Sequence, residues 1–390
     1  MNWETLYCPN PDCFCYGYHL YQGFMVKNGS VRGKKRALCK ACGNNVALNY
    51  ATAYYGLEGD YAIFEMAVRA LAEGNSLRST SRIVEIDKET IRKWLDRAAH
   101  HCRLIMLELW NNLHVTECQL DELWSFVHTK EGHLLAAKVF RETYGDAWVW
   151  LAFAPVWRLV LAFVVGKRNQ ENANLLLKRV HHVTNEHIPF FTSDQLPEYK
   201  TAILNTYGEL YYPERNGNRG RFPKARLKPL PGLFYAQVVK TINRGTLSNM
   251  ATKIIFGTHD DIVAQLESSP VSSSINTSFV ERDNLTQRQS NRRLTRKSNG
   301  FSKEIEWFEK QLWLSLAYYH LALPHHSLRQ KLSKPEPTKG NGSQKRWKPV
   351  TPAMAAGITD HVWTTKELLS FRTYPEKLIQ FSKSGDLFPK

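Results

Sequence analysis

The residues of this sequence best suited to chemistry lie between Phe279 and Lys303, where a carboxylate, an amide and guanidiniums recur at helical spacing. The four positions are Glu281, Asn284, Arg288 and Arg292. A helix turns once per 3.6 residues, so these positions fall close to one stripe of its surface. A carboxylate can hold a divalent cation, and planar guanidiniums pair with phosphate oxygens. The stripe predicts a place for metal beside nucleic-acid backbone; a solvated charged helix is the alternative.

Two further carboxylates lie upstream in apolar, strand-like surroundings. Asp121 interrupts the run CQLDELWSFV, and burying a carboxylate there is costly unless a cation or a donor compensates it. Asp194 follows a short apolar strand predicted at 188–192, and ligands gather at such strand ends in open α/β sheets. Three converging carboxylates predict a phosphoryl-transfer site with two Mg²⁺ ions, or Mn²⁺ in their place. The alternatives are an arginine partner for Asp121 and a helix N-cap role for Asp194.

The charge balance indicates a nucleic-acid partner. Lys and Arg number 52 against 36 Asp and Glu, which gives a net charge of +16. The excess is concentrated in 27–40, 215–228 and 288–303, and cations that neutralise phosphates release counterions. The last segment adds four predicted DNA contacts after Arg288, which are Arg292, Arg293, Arg296 and Lys297.

A membrane partner is disfavoured because the basic runs are mixed with Gly, Pro and Asn and form no amphipathic basic helix. The N-terminus lacks a basic region followed by an apolar core, so no secretory signal is predicted. We expect a cytoplasmic, nucleoid-associated protein that binds double-stranded DNA.

Cysteine spacing predicts a structural zinc site. Five of the seven cysteines fall within the first 42 residues, and an odd number of thiols in a reducing compartment argues against a disulfide framework. Cys8 with Cys13 and Cys39 with Cys42 form two knuckles, whose four thiolates suit tetrahedral Zn²⁺. Cys15 competes with Cys13 as a ligand, and a pairing of Cys8 with Cys15 is also open. We predict a zinc ribbon over residues 1–52.

Between the knuckles, Asn28-Gly29 predicts a hairpin turn. The strand that leads from it into the second knuckle carries three cations, which we predict to contact DNA. They are Lys34, Lys35 and Arg36.

Residues 53–112 show helical periodicity. Apolar positions predict a helix over 62–71 that Gly74 closes, a second over 77–84 and a third from Lys88 to Ala99, with a tight turn at 85–87. This order describes a helix-turn-helix DNA-binding unit, although a plain helical bundle has the same pattern. The predicted recognition helix begins with Lys88, Glu89, Thr90, Arg92 and Lys93.

The remaining order of elements predicts a mixed α/β catalytic domain over 113–325. The apolar segment 147–166 is long enough to span a membrane, but Pro155 and Arg158 interrupt it, so we predict two buried strands joined at 154–156. A helix over 170–184 and the strand before Asp194 follow. A three-strand antiparallel meander joined to a parallel strand, with helices on its faces, outlines the ribonuclease-H-like fold.

The overall prediction is a multidomain α+β protein. The catalytic domain carries insertions near 130–146 and 211–278, of which the Arg-, Gly- and Pro-rich stretch at 211–232 is either a DNA clamp or a solvated loop. A basic linker is predicted at 326–348. A C-terminal tail at 349–390 is expected to pack on the catalytic domain.

The chain resembles the DDE transposases of the bacterial insertion-sequence-one family, in their single-frame form. The matching motifs are DELWSFV at 121–127, TSD at 192–194, ERDNL at 281–285, Arg288, Arg293-Leu294, Arg296-Lys297 and FSK at 301–303. With the N-terminal cysteine pairs and the helix-turn-helix, the resemblance spans most of residues 8–320.

The resemblance implies DNA cleavage and strand joining, with Asp121, Asp194 and Glu281 as metal ligands. It also implies Asn284 as a further active-site residue and Arg288 as a contact near the scissile phosphate. Two element ends need two active sites, so a homodimer or larger assembly is expected on DNA. The alternatives are a DNA-binding repressor derived from a transposase and a structure-selective nuclease of the ribonuclease-H-like class.

Overall fold

The computed structural model describes residues 2–17, 23–136, 141–185, 187–214, 223–243, 246–338, 340 and 342–374. The chain forms two compact units. Among the described residues, the first unit contains 2–109, 310–324 and 359–374, and the second contains 110–309 and 325–358. The predicted catalytic domain thus differs from the second unit, because residues 310–324 belong to the first.

The first unit begins with a three-stranded antiparallel sheet of β1 (Met25–Val31), β2 (Lys34–Cys39) and β3 (Asn45–Ala47). The predicted hairpin turn at Asn28-Gly29 is wrong: the turn is Arg32-Gly33, between paired Val31 and Lys34. Both turn residues have positive φ, as a type I′ turn requires. The register of β1 shifts between Lys27 and Ser30, so Asn28-Gly29 forms a bulge.

The three predicted helices of the first unit are present as α1 (Tyr61–Ala72), α2 (Leu77–Val84) and α3 (Lys88–Leu109). Asp60 and Ser76 accept hydrogen bonds from backbone N–H groups at the starts of α1 and α2, as N-caps do. Glu85 ends α2 in the left-handed conformation. Helix α3 is ten residues longer than predicted, since its buried face continues through Ile105 and Met106.

The C-terminal tail divides between the units, and residues 359–374 belong to the first, where the Trp363 N–H donates to the Leu321 carbonyl at 3.0 Å. This part contains α10 (Thr365–Ser370). It is tied into the first unit by Arg69 Nε, which donates to Thr365 Oγ1 at 3.1 Å, and by Tyr7, whose hydroxyl donates to the Thr373 carbonyl at 3.0 Å. Arg372 adds a bond from its Nε to the Tyr50 carbonyl at 3.0 Å.

The second unit is built on a six-stranded mixed sheet of order β11-β10-β7-β4-β5-β6. Strands β4, β5 and β6 form an antiparallel meander; β7 runs parallel to β4, β10 runs parallel to β7, and β11 is antiparallel to β10. Their bounds are Glu117–Val127 for β4, Gly145–Ala154 for β5, Leu159–Gly166 for β6, Phe190–Ser193 for β7, Tyr235–Asn243 for β10 and Thr246–Phe256 for β11.

The apolar segment 147–166 forms two strands, as predicted, joined by a turn over 155–158. Strands β5 and β6 are buried along most of their length, which explains their near-continuous apolar sequence. Among the described residues, no helix combines the length and apolarity needed to cross a membrane.

The helices of the second unit are α4 (Gln170–Thr184), α5 (Pro197–Tyr207), α6 (His259–Ser268), α7 (Ser278–Ser290) and the short α9 (Pro352–Ala355). Helix α8 (Ile305–Ala322) follows α7 in the chain. Asn169 caps α4 through the Asn172 N–H, and Asn185 ends it in the left-handed conformation, so α4 has the predicted bounds.

The predicted insertions and linker contain regular structure. Strands β8 (Gly208–Tyr211) and β9 (Arg226–Pro229) form a hairpin, and β10, β11 and α6 follow it. The basic stretch at 215–222 and residues 137–140 of the 130–146 insertion lie outside the described residues. The linker prediction for 326–348 is wrong, because β12 (Gln330–Glu336) pairs antiparallel with β13 (Lys345–Lys348).

Candidate functional site

Two adjacent parallel strands present the predicted aspartates. Asp121 lies in β4 just beyond Gln119, the last β4 residue paired with β7. Asp194 directly follows the last residue of β7, Ser193. Because β4 and β7 run in the same direction, both carboxylates lie on the C-terminal side of their shared ladder, where ligands gather in such sheets.

Helix α7 brings the third predicted carboxylate to the same place. Glu281 lies in the first turn of α7, and Asn284 donates from Nδ2 to Asp121 Oδ2 at 2.6 Å. Burial, together with the charges of Asp194 and Glu281, raises the pKa of Asp121 to about 6. The Glu122 N–H and the Asn284 amide oppose this rise in pKa. Asn284 therefore contacts Asp121 directly, and Asp194 and Glu281 lie near enough for their charges to act on Asp121.

Neither alternative for the aspartates describes their contacts. Asp121 is bonded to the Asn284 amide and the Glu122 N–H. The N-cap of α5 is Leu196, and Asp194 accepts from the Leu196 N–H at 3.0 Å, one turn before the helix.

The Glu281 carboxylate is held by two neighbours. Thr277 donates its hydroxyl to Glu281 Oε1 at 2.6 Å, and the ammonium of Lys240 on β10 pairs with the same oxygen. Lys240 was not among the residues predicted from the sequence, where its signal was a single cation in the apolar strand run QVVKTI.

Among the described residues, the acidic groups do not form a close set of three or more possible metal ligands. Glu281 helps to explain why the acidic groups stay apart. Its contacts with Lys240 and Thr277 hold Oε1 toward β10 and the start of α7.

The predicted helical stripe ends before its last member. Arg288 lies within α7 and donates from Nη1 to the Leu294 carbonyl at 3.0 Å and to the Trp124 carbonyl at 3.4 Å. Helix α7 ends at Ser290, and Arg292 lies in a separate 3-10 turn, Arg292–Leu294. The break occurs at Asn291, which is extended and whose side chain accepts from the Arg293 N–H at 3.0 Å. The prediction that Arg292 continues one helical stripe is therefore wrong.

The remaining cations of this segment differ in exposure. Arg293 is half-buried and donates from Nη1 to Ser302 Oγ at 2.7 Å, and burial lowers its pKa to about 10, so it stays charged at neutral pH. Arg296 and Lys297 are exposed. Contact between Arg293 and DNA would first require its release from Ser302, whereas Arg296 and Lys297 need no such change.

A fourth acidic side chain lies next to Asp121 on the opposite face of β4. The side chain of Glu122 is almost fully buried and lies 3.5 Å from Arg168, whose guanidinium covers the Trp148 ring at 4.9 Å. Burial and the charge of Asp194 raise the pKa of Glu122 to about 8, against the lowering effect of Arg168. The sequence signal for Glu122 was its position directly after Asp121, since consecutive side chains of a strand point to opposite faces.

The four predicted zinc ligands form a compact cluster. The sulfur atoms of Cys8, Cys13, Cys39 and Cys42 all lie within 4.8 Å of one another and could hold a metal ion. Four sulfur ligands at this separation suit tetrahedral Zn²⁺. Cys15 is buried beside the cluster but is not one of its members, and its N–H donates to Cys13 Sγ at 3.4 Å. This geometry favours Cys13 over Cys15 as the ligand.

The predicted DNA contacts of the first unit lie on two elements. On β2, Lys34 donates to the Leu57 carbonyl at 3.3 Å, Arg36 donates to the Asn45 carbonyl at 3.2 Å, and Lys35 is exposed. The first turns of α3 carry the other set, which comprises Lys88, Glu89, Thr90, Arg92 and Lys93.

Within that second set, Glu89 pairs with Lys88 at 3.3 Å and with Arg92 at 2.7 Å, while Lys93 is exposed and Thr90 is half-buried. Their contact with DNA stays a prediction.

Comparison with protein-family models and with curated proteins found no match to this chain. The residues of the acidic site and the cysteine cluster are therefore the features that indicate its function.

Proposed function

We propose that this chain is a DDE-type polynucleotidyl transferase. The observation that carries the proposal is that Asp194, from the strand parallel to that of Asp121, and Glu281 from α7 lie near enough for their charges to act on Asp121. The strand arrangement supports it, because the β4-β5-β6 meander followed by parallel β7 and β10 matches the outline of a ribonuclease-H-like domain. The edge strand β11 is an addition to that outline.

Within this class, we propose a transposase that resembles the insertion-sequence-one family in its single-frame form. It would bind the inverted repeats at its element's ends through a zinc ribbon and a helix-turn-helix, then cut and join DNA strands as a dimer or larger assembly. The motif between Glu281 and Lys303 is the longest that supports this assignment.

The donor set fits Mg²⁺, a hard cation that prefers oxygen ligands. Asp121, Asp194 and Glu281 would hold the cation pair, and Asn284 Oδ1 is a buried oxygen without a hydrogen-bond partner. Bound Mg²⁺ would activate the attacking oxygen and stabilise the leaving one. Asn284 positions Asp121 through its 2.6 Å hydrogen bond, and the carboxylates must be ionised to act.

In the proposed reaction, water attacks phosphorus at the element end and the bond from phosphorus to the 3′-oxygen breaks, which leaves a 3′-hydroxyl on the element and a 5′-phosphate on the flanking DNA. The 3′-hydroxyl then attacks a target phosphate and displaces a target 3′-oxygen, and the protein forms no covalent bond to DNA. The Arg288 guanidinium lies close enough to Asp121 to feel its charge, so it is placed to contact DNA near the cleaved phosphate.

The test is a Mg²⁺-dependent cleavage and joining assay on linear DNA carrying the flanking inverted repeats. We expect joined product from the native chain and from Glu267→Gln, an exposed carboxylate on α6, but none from Glu281→Gln. DNA binding without cleavage by the native chain would favour the repressor. Cleavage of junctions or hybrids without joining would favour the nuclease.

We predict that the ammonium of Lys240 competes with the metal ion for the Glu281 carboxylate. Lys240→Met should tighten Mn²⁺ binding by up to about fivefold, because a half-exposed ion pair contributes about 1 kcal/mol or less. Calorimetric titration of native chain, Lys240→Met and the exposed Lys253→Met would measure it. An unchanged Mn²⁺ affinity in Lys240→Met, or an equal gain in Lys253→Met, would contradict this role.

A further inference from the structure

The hairpin of β12 and β13 in the second unit is exposed on both faces. Every residue of these strands is exposed except Leu332, which is half-buried. An isolated two-stranded hairpin is marginally stable in water, and most hairpins bury one face on a core. This one covers no core among the described residues, so its sequence is not explained by packing.

Its composition is strongly cationic. We call the strands and the residue before them, Arg329–Glu336 and Lys345–Lys348, the basic ribbon. It carries six cations against the single carboxylate Glu336, which lies 3.7 Å from Lys345. The cations are Arg329, Lys331, Lys334, Lys345, Arg346 and Lys348. Arg346 and Lys348 point to one face and Lys345 to the other, since side chains alternate along a strand.

The base of the ribbon is fixed close to the start of α7. The His325 N–H donates to the Val350 carbonyl at 2.9 Å and closes the two ends of the hairpin. Arg158 donates from Nε to Ser327 Oγ at 3.2 Å, and its guanidinium covers the Phe279 ring at 4.2 Å. Phe279 is two residues before Glu281, so the ribbon starts from the end of α7 that carries the catalytic carboxylate.

We propose that the basic ribbon is an additional DNA-binding element, which contacts the phosphates of duplex DNA beside the acidic site. The proposal rests on the proposed function for the presence of DNA at that site. Two paired strands lie about 5 Å apart, and the major groove is about 12 Å wide, so a ribbon exposed on both faces fits within it. Its cations then face phosphates on both groove walls, and these contacts are independent of base sequence.

The test measures how DNA affinity depends on salt. Lys331→Gln combined with Arg346→Gln removes two ribbon charges, and Lys178→Gln combined with Lys200→Gln removes two exposed charges from α4 and α5. Anisotropy of a labelled random-sequence duplex, in Ca²⁺ and over a series of salt concentrations, gives the slope of log affinity against log salt. We expect the ribbon pair to reduce that slope by about 2, and the helix pair to leave it unchanged.

A charge-conserving variant, Lys331→Arg with Arg346→Lys, should keep the native slope and exclude a folding defect as the cause. Equal slopes for the ribbon pair and the helix pair would overturn the proposal. A loss of affinity for phosphatidylserine vesicles without a loss of affinity for the duplex would also overturn it. The same holds for a loss of affinity with one DNA sequence and not another.

The joining assay, run in parallel, separates the two proposals. Joining by the native chain with an unchanged slope in the ribbon pair rejects the ribbon alone. A reduced slope without joining by the native chain keeps the ribbon and rejects the transposase.

Discussion

Asp121→Asn should abolish strand joining while making the metal-free protein more stable at neutral pH. Activity should fall by about a thousandfold or more, since loss of even a single electrostatic stabiliser costs about 10²–10³ in rate. The side chain would remain hydrogen-bonded, because the Asn284 amide can turn its buried Oδ1 toward the new NH₂ group.

The gain in stability follows from the pKa of Asp121, which burial and the neighbouring carboxylates raise from 3.8 to about 6. The folded state therefore binds this proton more tightly than the unfolded state. Ionisation of Asp121 lowers the free energy of unfolding. This effect is absent below about pH 4, grows between about pH 4 and 6, and is complete above about pH 6. Two pKa units correspond to about 3 kcal/mol, so Asp121→Asn should raise the free energy of unfolding by up to that amount at pH 7.

Chemical denaturation at pH 7 and at pH 4, in chelator, measures this difference. Asp283→Asn is the matched control, because Asp283 is also a buried aspartate of the second unit and burial raises its pKa to about 7. It is bonded to Gln287 within α7 and has no place in the proposed metal site. We expect Asp283→Asn to stabilise the protein and keep strand joining; stability gained equally at both pH values would contradict the argument for Asp121.

The pH profile of the native chain should follow the same group. Metal binding requires the ionised carboxylate, so joining should decline as pH falls through about 6 at limiting Mg²⁺. Saturating Mg²⁺ should move the decline to lower pH, because the cation competes with the proton. A midpoint that does not respond to Mg²⁺ concentration would assign the decline to a different group.

Cys39→Ser should unfold the three-stranded sheet of the first unit and remove sequence-specific DNA binding. The buried apolar core of this sheet is small and consists mainly of Leu6, Ala37 and Val46. Zn²⁺ bound by four thiolates contributes about 10–16 kcal/mol in comparable small domains, more than such a core provides. We expect amides of β1 to β3 to lose their protection from hydrogen exchange, together with one equivalent of bound zinc.

Cys15→Ala provides the matched control, because Cys15 is buried beside the cluster without belonging to it. Zinc content, measured on the purified full chain, should stay at one equivalent in this variant, and the exchange of β1 to β3 amides should remain slow. Loss of zinc from Cys15→Ala, with zinc retained in Cys13→Ala, would show that Cys15 is the ligand.

The sequence determined the elements whose patterns are local. Asn169 and Asn185 mark both ends of α4, and Pro155 with Arg158 indicated that the apolar segment turns rather than crosses a membrane. Cysteine spacing identified the four members of the cysteine cluster, because paired knuckles bring thiols together whatever the rest of the chain does. In each case, neighbours within a few residues decide the conformation.

Local sequence patterns gave the wrong prediction where two local conformations were both favourable. Asn28-Gly29 is a favourable hairpin turn, but β1 pairs with β2 in a register that puts the turn at Arg32-Gly33. Likewise, the basic stretch after Ser327 has the composition of a linker, and pairing between Gln330 and Lys348 makes it a hairpin. Strand register depends on partners far along the chain, so composition alone could not decide either case.

The types of element, the cysteine cluster and the identity of three candidate carboxylates can therefore be predicted from the amino-acid sequence. Tertiary structure alone decided which groups surround them. Lys240 reaches Glu281 only because β10 lies beside β7, and Asn284 reaches Asp121 only because α7 crosses β4, 163 positions earlier in the chain. Contacts between residues so far apart depend on the packing of the whole unit, which no local spacing encodes.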